Sequence, residues 1–294
     1  SLKATRTGLL TVEASHHQSD NVSSEVYNAH LQLLAAGQSA NGYARVDSGV
    51  VAGADIFVKV LGSSSAVDLK LWNVVRIAGS RADFHGTSGD DVATVRIGHS
   101  HVVTLNGLTY ALDNSEVDYV RVLGKGGEDS VRIVGSAANE QATIRVGSAS
   151  LVSDDARVVA THFEDVHING RGGSDRAVFY DSVNDDRFLA RPEFARLDGD
   201  SFSNAARGFE QVTAVANAGG SDRAILYDSI ADDLFVAQPD YARLGGEGFS
   251  NAARDFEFVT AMATQGGDDQ AILFDSAGDD RFLARPDCAY LSGD

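Results

Sequence analysis

The sequence predicts an all-β chain: a right-handed parallel β-helix or β-solenoid of about five coils, with hairpin excursions and an N-terminal β-rich cap. Three observations predict it. One unit recurs at near-constant spacing, its short segments alternate apolar and polar residues, and clusters of Gly, Asp, Asn and Ser separate those segments.

The repeat is plainest near the C-terminus. GGSDRAVFYDSVNDDRF (172–188), GGSDRAILYDSIADDLF (219–235) and GGDDQAILFDSAGDDRF (266–282) are shifted by 47 residues each time. Diverged copies carry the pattern back to residue 75. Val75, Val120, Val166, Val212 and Val259 mark equivalent positions at steps of 45, 46, 46 and 47, which sets units near 75–119, 120–165, 166–211, 212–258 and 259–294. The solenoid domain is therefore placed at 71–294, and residues 1–70, which fit the repeat poorly, at a capping or assembly segment. A solenoid needs such a cap because its terminal coil otherwise exposes an unpaired edge. Within 1–70, the stretch 21–37 reads as a short helix and the rest as alternating strands.

Strand parity sorts inside from outside. Ala82/Phe84, Val131/Ile133, Ala177/Phe179, Ala224/Leu226 and Ala271/Leu273 are apolar in every copy and are assigned to the core. The opposite parity becomes apolar towards the C-terminus, at Val178, Tyr180, Ile225, Tyr227, Ile272 and Phe274. These outward positions need a cover, either the unit's own hairpin excursion, such as 101–112 or 149–161, or a partner chain. If one unit is one coil, equivalent side chains stack at about 4.8 Å. Pro192, Pro239 and Pro286 recur at one place, where a missing donor suits a strand end or edge.

With 42 acids against 24 Lys and Arg, the net charge of −18 disfavours nucleic acid and anionic membrane as partners. No apolar run approaches the roughly 18 residues of a membrane-spanning helix. The lone Cys288, standing where other units have Phe194 and Tyr241, reads as a small hydrophobe.

Two repeated sets of charged residues are candidates for binding. The paired acids Asp90–Asp91, Asp185–Asp186, Asp232–Asp233 and Asp279–Asp280 are candidate calcium ligands, since Ca²⁺ takes six to eight oxygens. Plain turn chemistry competes with that reading. Arg96, Arg145, Arg191 and Arg285 align, with Gln238 in the fourth unit. As a row they would grip an acidic polysaccharide through bidentate hydrogen bonds, or pair with neighbouring acids. No cofactor is required by the sequence. No nucleophile, base and orienting group assemble into a catalytic set. Asp83, His85, Arg132 and His167, which break the repeat, and the N-terminal region are the places to look for one.

At FYDSVNDDRF (179–188) and LYDSIADDLF (226–235), the latter followed by GFSNAARDFEFVTA (248–261), the chain resembles the repeat-bearing secreted and cell-surface proteins of planctomycete-type aquatic bacteria. The resemblance covers roughly residues 75–294 and implies an exported surface protein with no assigned catalytic residues. The expected function is thus an extracellular structural or adhesive protein, with a polysaccharide-binding or polysaccharide-cleaving β-helix as the alternative. A fibre version adds one element. The last unit stops at Gly293 and Asp294, short of the segment other units continue with, and the strand around Leu9, Leu10 and Val12 loosely matches that segment. Head-to-tail donation of this strand would build a homopolymer, and a longer chain is the competing explanation.

Overall fold

The computed structural model describes residues 1–17, 20–40 and 42–293. Among those residues it is all-β, with thirty strands and no helix, and the strands build a β-solenoid of about five turns with parallel stacking. Contacts divide the chain into two compact units: Ser1–Gly86 together with Ser115–Leu123, and the remainder.

The first unit opens with β1 (Leu2–Lys3), β2 (Gly8–Ser15), β3 (Val22–Tyr27), β4 (Leu33–Ala40) and β5 (Tyr43–Val50). It continues through β6 (Asp55–Gly62), β7 (Asp68–Ala78) and β8 (Arg81–His85). Strand β2 lies antiparallel between β5 and β7, and β3 lies between β4 and β6. Leu10, Val12, Val26, Val46 and Ile56 pack into one core. The helix expected within 21–37 is instead the β3–β4 hairpin. Val22, Ser24 and Val26 are buried with period two, which a strand satisfies and a helix does not. The Asn28 carboxamide accepts the N–H groups of His30 and Gln32, each at 3.0 Å, and closes the turn.

The second unit begins with β9 (Val92–Arg96), β10 (Ser100–Leu105) and β11 (Leu108–Asp113), an antiparallel run. Asn106 and Gly107 at the β10–β11 turn both take positive φ, 51° and 82°, as a two-residue hairpin demands. Strand β12 (Tyr119–Leu123) returns to the first unit and stacks parallel on β8. Next come β13 (Ser130–Val134), β14 (Gln141–Arg145), β15 (Ser148–Val152), β16 (Arg157–Thr161) and β17 (Asp165–Asn169).

The following repeat shows the general plan: β18 (Arg176–Tyr180), β19 (Arg187–Arg191), β20 (Phe194–Gly199), β21 (Phe202–Arg207) and β22 (Gln211–Val215). Its successor has β23 (Arg223–Tyr227), β24 (Leu234–Gln238), β25 (Tyr241–Gly246), β26 (Phe249–Arg254) and β27 (Phe258–Met262). Last are β28 (Gln270–Leu273), β29 (Arg281–Arg285) and β30 (Cys288–Ser292).

Apart from β12, which joins β8, and the separate two-stranded hairpin β29–β30, the strands from β9 onward run in two sheets. One runs β11-β10-β9-β13-β17-β21-β20-β19-β23-β27. The other runs β16-β15-β14-β18-β22-β26-β25-β24-β28. The inner faces meet across one core: Phe179 of the second sheet and Phe188 of the first, both fully buried, have ring centroids 5.9 Å apart. The expected inward parity holds at Ala82/Phe84, Val131/Ile133, Ala177/Phe179 and Ala224/Leu226, all buried, but not at the fifth pair, where Ala271 is exposed and Leu273 half-buried.

One expectation needs correction. The sequence repeat is not the stacking repeat. Gln141 stacks on Arg176, Arg176 on Gln211 and Val92 on Ser130, offsets of 35, 35 and 38 residues, not 47. In each of the four complete repeats the second, third and fourth strands form an in-plane antiparallel meander, so the chain crosses between sheets three times per repeat. Because three is odd, equivalent strands alternate sheets: β18 and β28 lie in one, β23 in the other. The excursions 101–112 and 149–161 are hairpins as expected, but β10 pairs edge-on with β9 and β15 with β14. They widen the sheets and leave the outer faces uncovered.

Candidate functional site: the arginine-bearing sheet faces

The acids of the repeat gather in the turns, where each answers a backbone donor. Ser182 donates through its N–H and Oγ to Asp186 Oδ2, at 2.6 and 2.8 Å, and Ser229 treats Asp233 in the same way at 2.6 and 2.9 Å. The first acid of three of the four pairs reaches the next turn. Asp90 accepts the Glu128 N–H, Asp185 the Ser221 N–H and Asp232 the Asp268 N–H, at 2.8–2.9 Å. A third rank runs along the stack: Glu140 N–H donates to Asp175 at 2.8 Å, and Asp175 N–H to Glu210 at 2.6 Å. Asp186, Asp222 and Glu257 repeat that relay at 2.7 Å per step.

The expected calcium ligands Asp90, Asp91, Asp185, Asp186, Asp232, Asp233, Asp279 and Asp280 are thus distributed over separate turns. Asp91 takes the Thr87 N–H at 2.7 Å, and Asp280 the Ser276 N–H at 2.9 Å. Among the described residues, no group of three or more His, Cys, Asp or Glu is placed to hold a metal ion. Burial of these carboxylates has an electrostatic consequence. Desolvation pushes Asp175 and Asp222 each up to about 6, and raises Asp129 and Asp186 in the same direction. Glycine makes the close approach possible: a Cβ on Gly170 would lie 2.3 Å from Asp175 Oδ2.

The aligned arginines lie on strands. Arg96, Arg145 and Arg191 do not form the expected row, because alternation puts Arg96 and Arg191 on one sheet and Arg145 on the other, while Arg285 lies in the separate β29–β30 hairpin. Each meets an aromatic ring instead of an acid where the next strand offers one. The Arg145 guanidinium sits 3.7 Å from the Tyr180 ring centre, and Arg191 4.9 Å from that of Tyr227. Arg207 over Phe194, Arg254 over Tyr241 and Arg223 over Phe258 follow at 5.1–5.2 Å.

Register then assembles a continuous face. On the outer side of the first sheet, the row Arg207–Phe194–Arg191–Tyr227 lies beside Arg196–Leu189–Ile225, and that beside Asp198–Arg187–Arg223. Arg187, Leu189, Arg191, Phe194, Arg196 and Asp198 line a shallow depression of about 320 Å³. Arg196 and Asp198 are paired, Nε to Oδ1, at 2.5 Å. The outward positions of the second sheet carry Arg145, Arg157, Arg176, Arg243 and Arg254 and no carboxylate. A chain of net charge −18 therefore has acid-rich turns and arginine-rich faces.

The four residues that break the repeat do not gather into a catalytic set. Arg132 and His167 are register neighbours on the first sheet's outer face, and His167 Nε2 lies 3.0 Å from Asp165 Oδ1. In the first unit Asp83 is buried and bound by Arg81 Nε at 2.7 Å and Arg121 Nε at 3.0 Å, with Arg76 at 3.8 Å. His85 follows Asp83 on the same face of β8.

Of the assembly candidates, Leu10 and Val12 are buried and Leu9 is half-buried, all on a strand paired along both edges. Donating β2 would require opening the first unit, so it is not a free terminal strand. Val178, Tyr180, Ile225 and Tyr227 are half-buried, shielded by arginines and by lateral neighbours such as Thr143 and Thr213 around Val178. Ile272 and Phe274 stay exposed. Gly293 packs against Asp280, and Asp294 lies outside the described residues. Charge alternation with aromatics, the signal that finds the arginine faces, was present in the sequence but could be read only with the stacking offset in hand. No family model matches the chain, and no curated protein matches it significantly.

Proposed function

We propose that the chain is a structural, adhesive repeat protein of the bacterial cell exterior whose sheet faces hold an acidic polysaccharide. The observation that supports this most is the segregation of charge. Carboxylates are consumed in the turns as amide acceptors, while guanidinium groups sit over Tyr and Phe rings across the faces. A guanidinium held over a ring keeps N–H groups for other partners, and its fork suits bidentate recognition of uronate or sulfate. The net negative charge does not forbid it. A five-residue strand spans about 16 Å, so the midline of a face stands about one Debye length from the acidic turns at physiological salt. The resemblance to exported repeat proteins supports the extracellular setting.

Binding to alginate and to a sulfated glucan, with neutral dextran as reference, tests the proposal. The acidic polymers should bind and weaken with salt, and the triple variant Arg187→Ala, Arg191→Ala, Arg196→Ala should bind about tenfold more weakly. Equal affinity for dextran, or an unaffected variant, would sink it. Products released from the polymer in the same assay would favour a cleaving enzyme.

A second reading, self-association into fibres, is favoured by one observation. Phe258, Ile272, Phe274 and Phe282 at the C-terminal coil are 44–62% exposed. Electron microscopy that shows only single particles at high protein concentration would reject it.

A further inference from the structure

Three arginines of the first unit converge on one carboxylate. Strand parity puts Arg81 and Asp83 of β8 on its outer face, since Ala82 and Phe84 between and beside them point into the core. Register then lays two rows across β7, β8 and β12: Arg76–Asp83–Arg121, and beside it Ala78–Arg81–Tyr119. Asp83 Oδ1 accepts the Nε of Arg81 at 2.7 Å and the Nε of Arg121 at 3.0 Å, and Arg76 Nη1 stands 3.8 Å from Oδ2. The Tyr119 ring lies under the Arg81 guanidinium at 4.9 Å.

The cluster is unbalanced in charge. One carboxylate answers three guanidinium groups, and among the described residues none of the three has a second acid partner, so two positive charges are in surplus. Arginines gathered on one carboxylate repel each other, and a bound anion would relieve that repulsion. The Asp83 side chain is 3% exposed, whereas those of Arg76, Arg81 and Arg121 are 55%, 36% and 30% exposed, so the acid is closed off while the arginines still reach solvent. Arg81 and Arg121 spend their Nε on Asp83 and keep their Nη groups for a further acceptor. The surrounding charge permits an anion to approach. The first unit holds eight Lys and Arg against nine Asp and Glu, so nearly all of the net −18 belongs to the other unit.

We propose that Arg76, Arg81 and Arg121 form a binding site for a doubly charged tetrahedral oxyanion, a sulfate or phosphate group. Charge sets the class, because a dianion neutralises the surplus and a monocarboxylate only half of it. Donor number points the same way. Three neighbouring strands each supply one guanidinium fork, and a tetrahedral anion has acceptor oxygens for all of them, whereas a planar carboxylate has two. The site uses none of the residues of the arginine-bearing sheet faces and does not rest on the polysaccharide reading.

Isothermal titration of the 294-residue chain with sodium sulfate and, separately, sodium phosphate, at ionic strength held constant with sodium chloride, tests it. Saturable one-to-one binding of at least one anion is expected, and the tighter of the two names the ester. Arg76→Ala removes an exposed group that makes no hydrogen bond to Asp83, so the chain should stay folded and bind about tenfold more weakly. Hydrogen exchange with the anion present should slow at the amides of β8 and β12 and stay unchanged at β19 and β20. Absence of saturable binding with both anions, indifference to Arg76→Ala, displacement by chloride at equal concentration, or loss of binding in the triple variant Arg187→Ala, Arg191→Ala, Arg196→Ala would each overturn the proposal. That triple variant carries the test of polysaccharide binding, so the two proposals fail separately.

Discussion

Residues 172–211 and 266–293 are built from one pattern and end in opposite environments. Phe188 is fully buried, with its ring 5.9 Å from Phe179 and 6.1 Å from Phe256; Phe282, at the same repeat position, is 62% exposed. Phe235, between them in sequence, is half-buried. The gradient teaches that inward parity makes a residue available for burial, while neighbours stacked on both sides accomplish it. In a solenoid each layer is stable mainly through its interfaces, so a layer with one interface is weak whatever its sequence.

The sharpest way to break this comparison is to delete the two rings. Phe188→Ala should cost about 3–5 kcal/mol in urea unfolding, whereas Phe282→Ala should change stability by no more than about 0.5 kcal/mol. Equal costs would mean that the last layer is packed as tightly as the middle one.

The buried turns of the middle layers come next. Asp175 and Asp222 hold their protons more tightly in the folded chain, at about 6, than in the unfolded one, because burial desolvates the carboxylate. Their contribution is therefore most favourable below the ordinary carboxylate range and is lost as pH rises towards about 6. Asp175→Asn keeps an oxygen for the Glu140 N–H while removing the charge. It should stabilise the fold on the order of 2 kcal/mol at neutral pH and flatten the pH dependence between about 4 and 6. A melting series across that range for the wild type, Asp175→Asn and Asp222→Asn measures the effect.

Smaller effects sharpen the picture. Asn204→Ala or Asn251→Ala removes the side-chain tie across the core, a loss of about 1–2 kcal/mol. Hydrogen exchange should localise it to the strands around Arg145 or Arg191. Least costly is Arg145→Ala, about 0.5–1 kcal/mol through the lost contact with Tyr180, against almost nothing for Gln238→Ala at the equivalent position. Differential scanning calorimetry resolves the pair if Arg145→Ala melts lower while Gln238→Ala does not move.

Much of the scaffold was legible. Alternation of Ala177 and Phe179, or Ala224 and Leu226, identified core-facing positions, and the prolines fall where hairpin turns follow β19, β24 and β29. The segment 21–37 misled because its Leu and Ala residues suit a helix, yet pairing of β3 with both β4 and β6 overrides that local preference. The arginine row misled for a geometric reason. Alignment compares residues 47 apart, while the fold stacks residues 35 to 39 apart.

By itself the sequence determined that residues 75–294 are made of short strands, which parity faces inward in the first four repeats, and where the turns and hairpins of those repeats fall, because these depend on local pattern and turn chemistry. Only the tertiary structure decided which residues become neighbours. Three crossings per repeat carry equivalent strands to opposite sheets, so Arg145 finds Tyr180 and not another arginine, and the paired acids find amide groups and not each other.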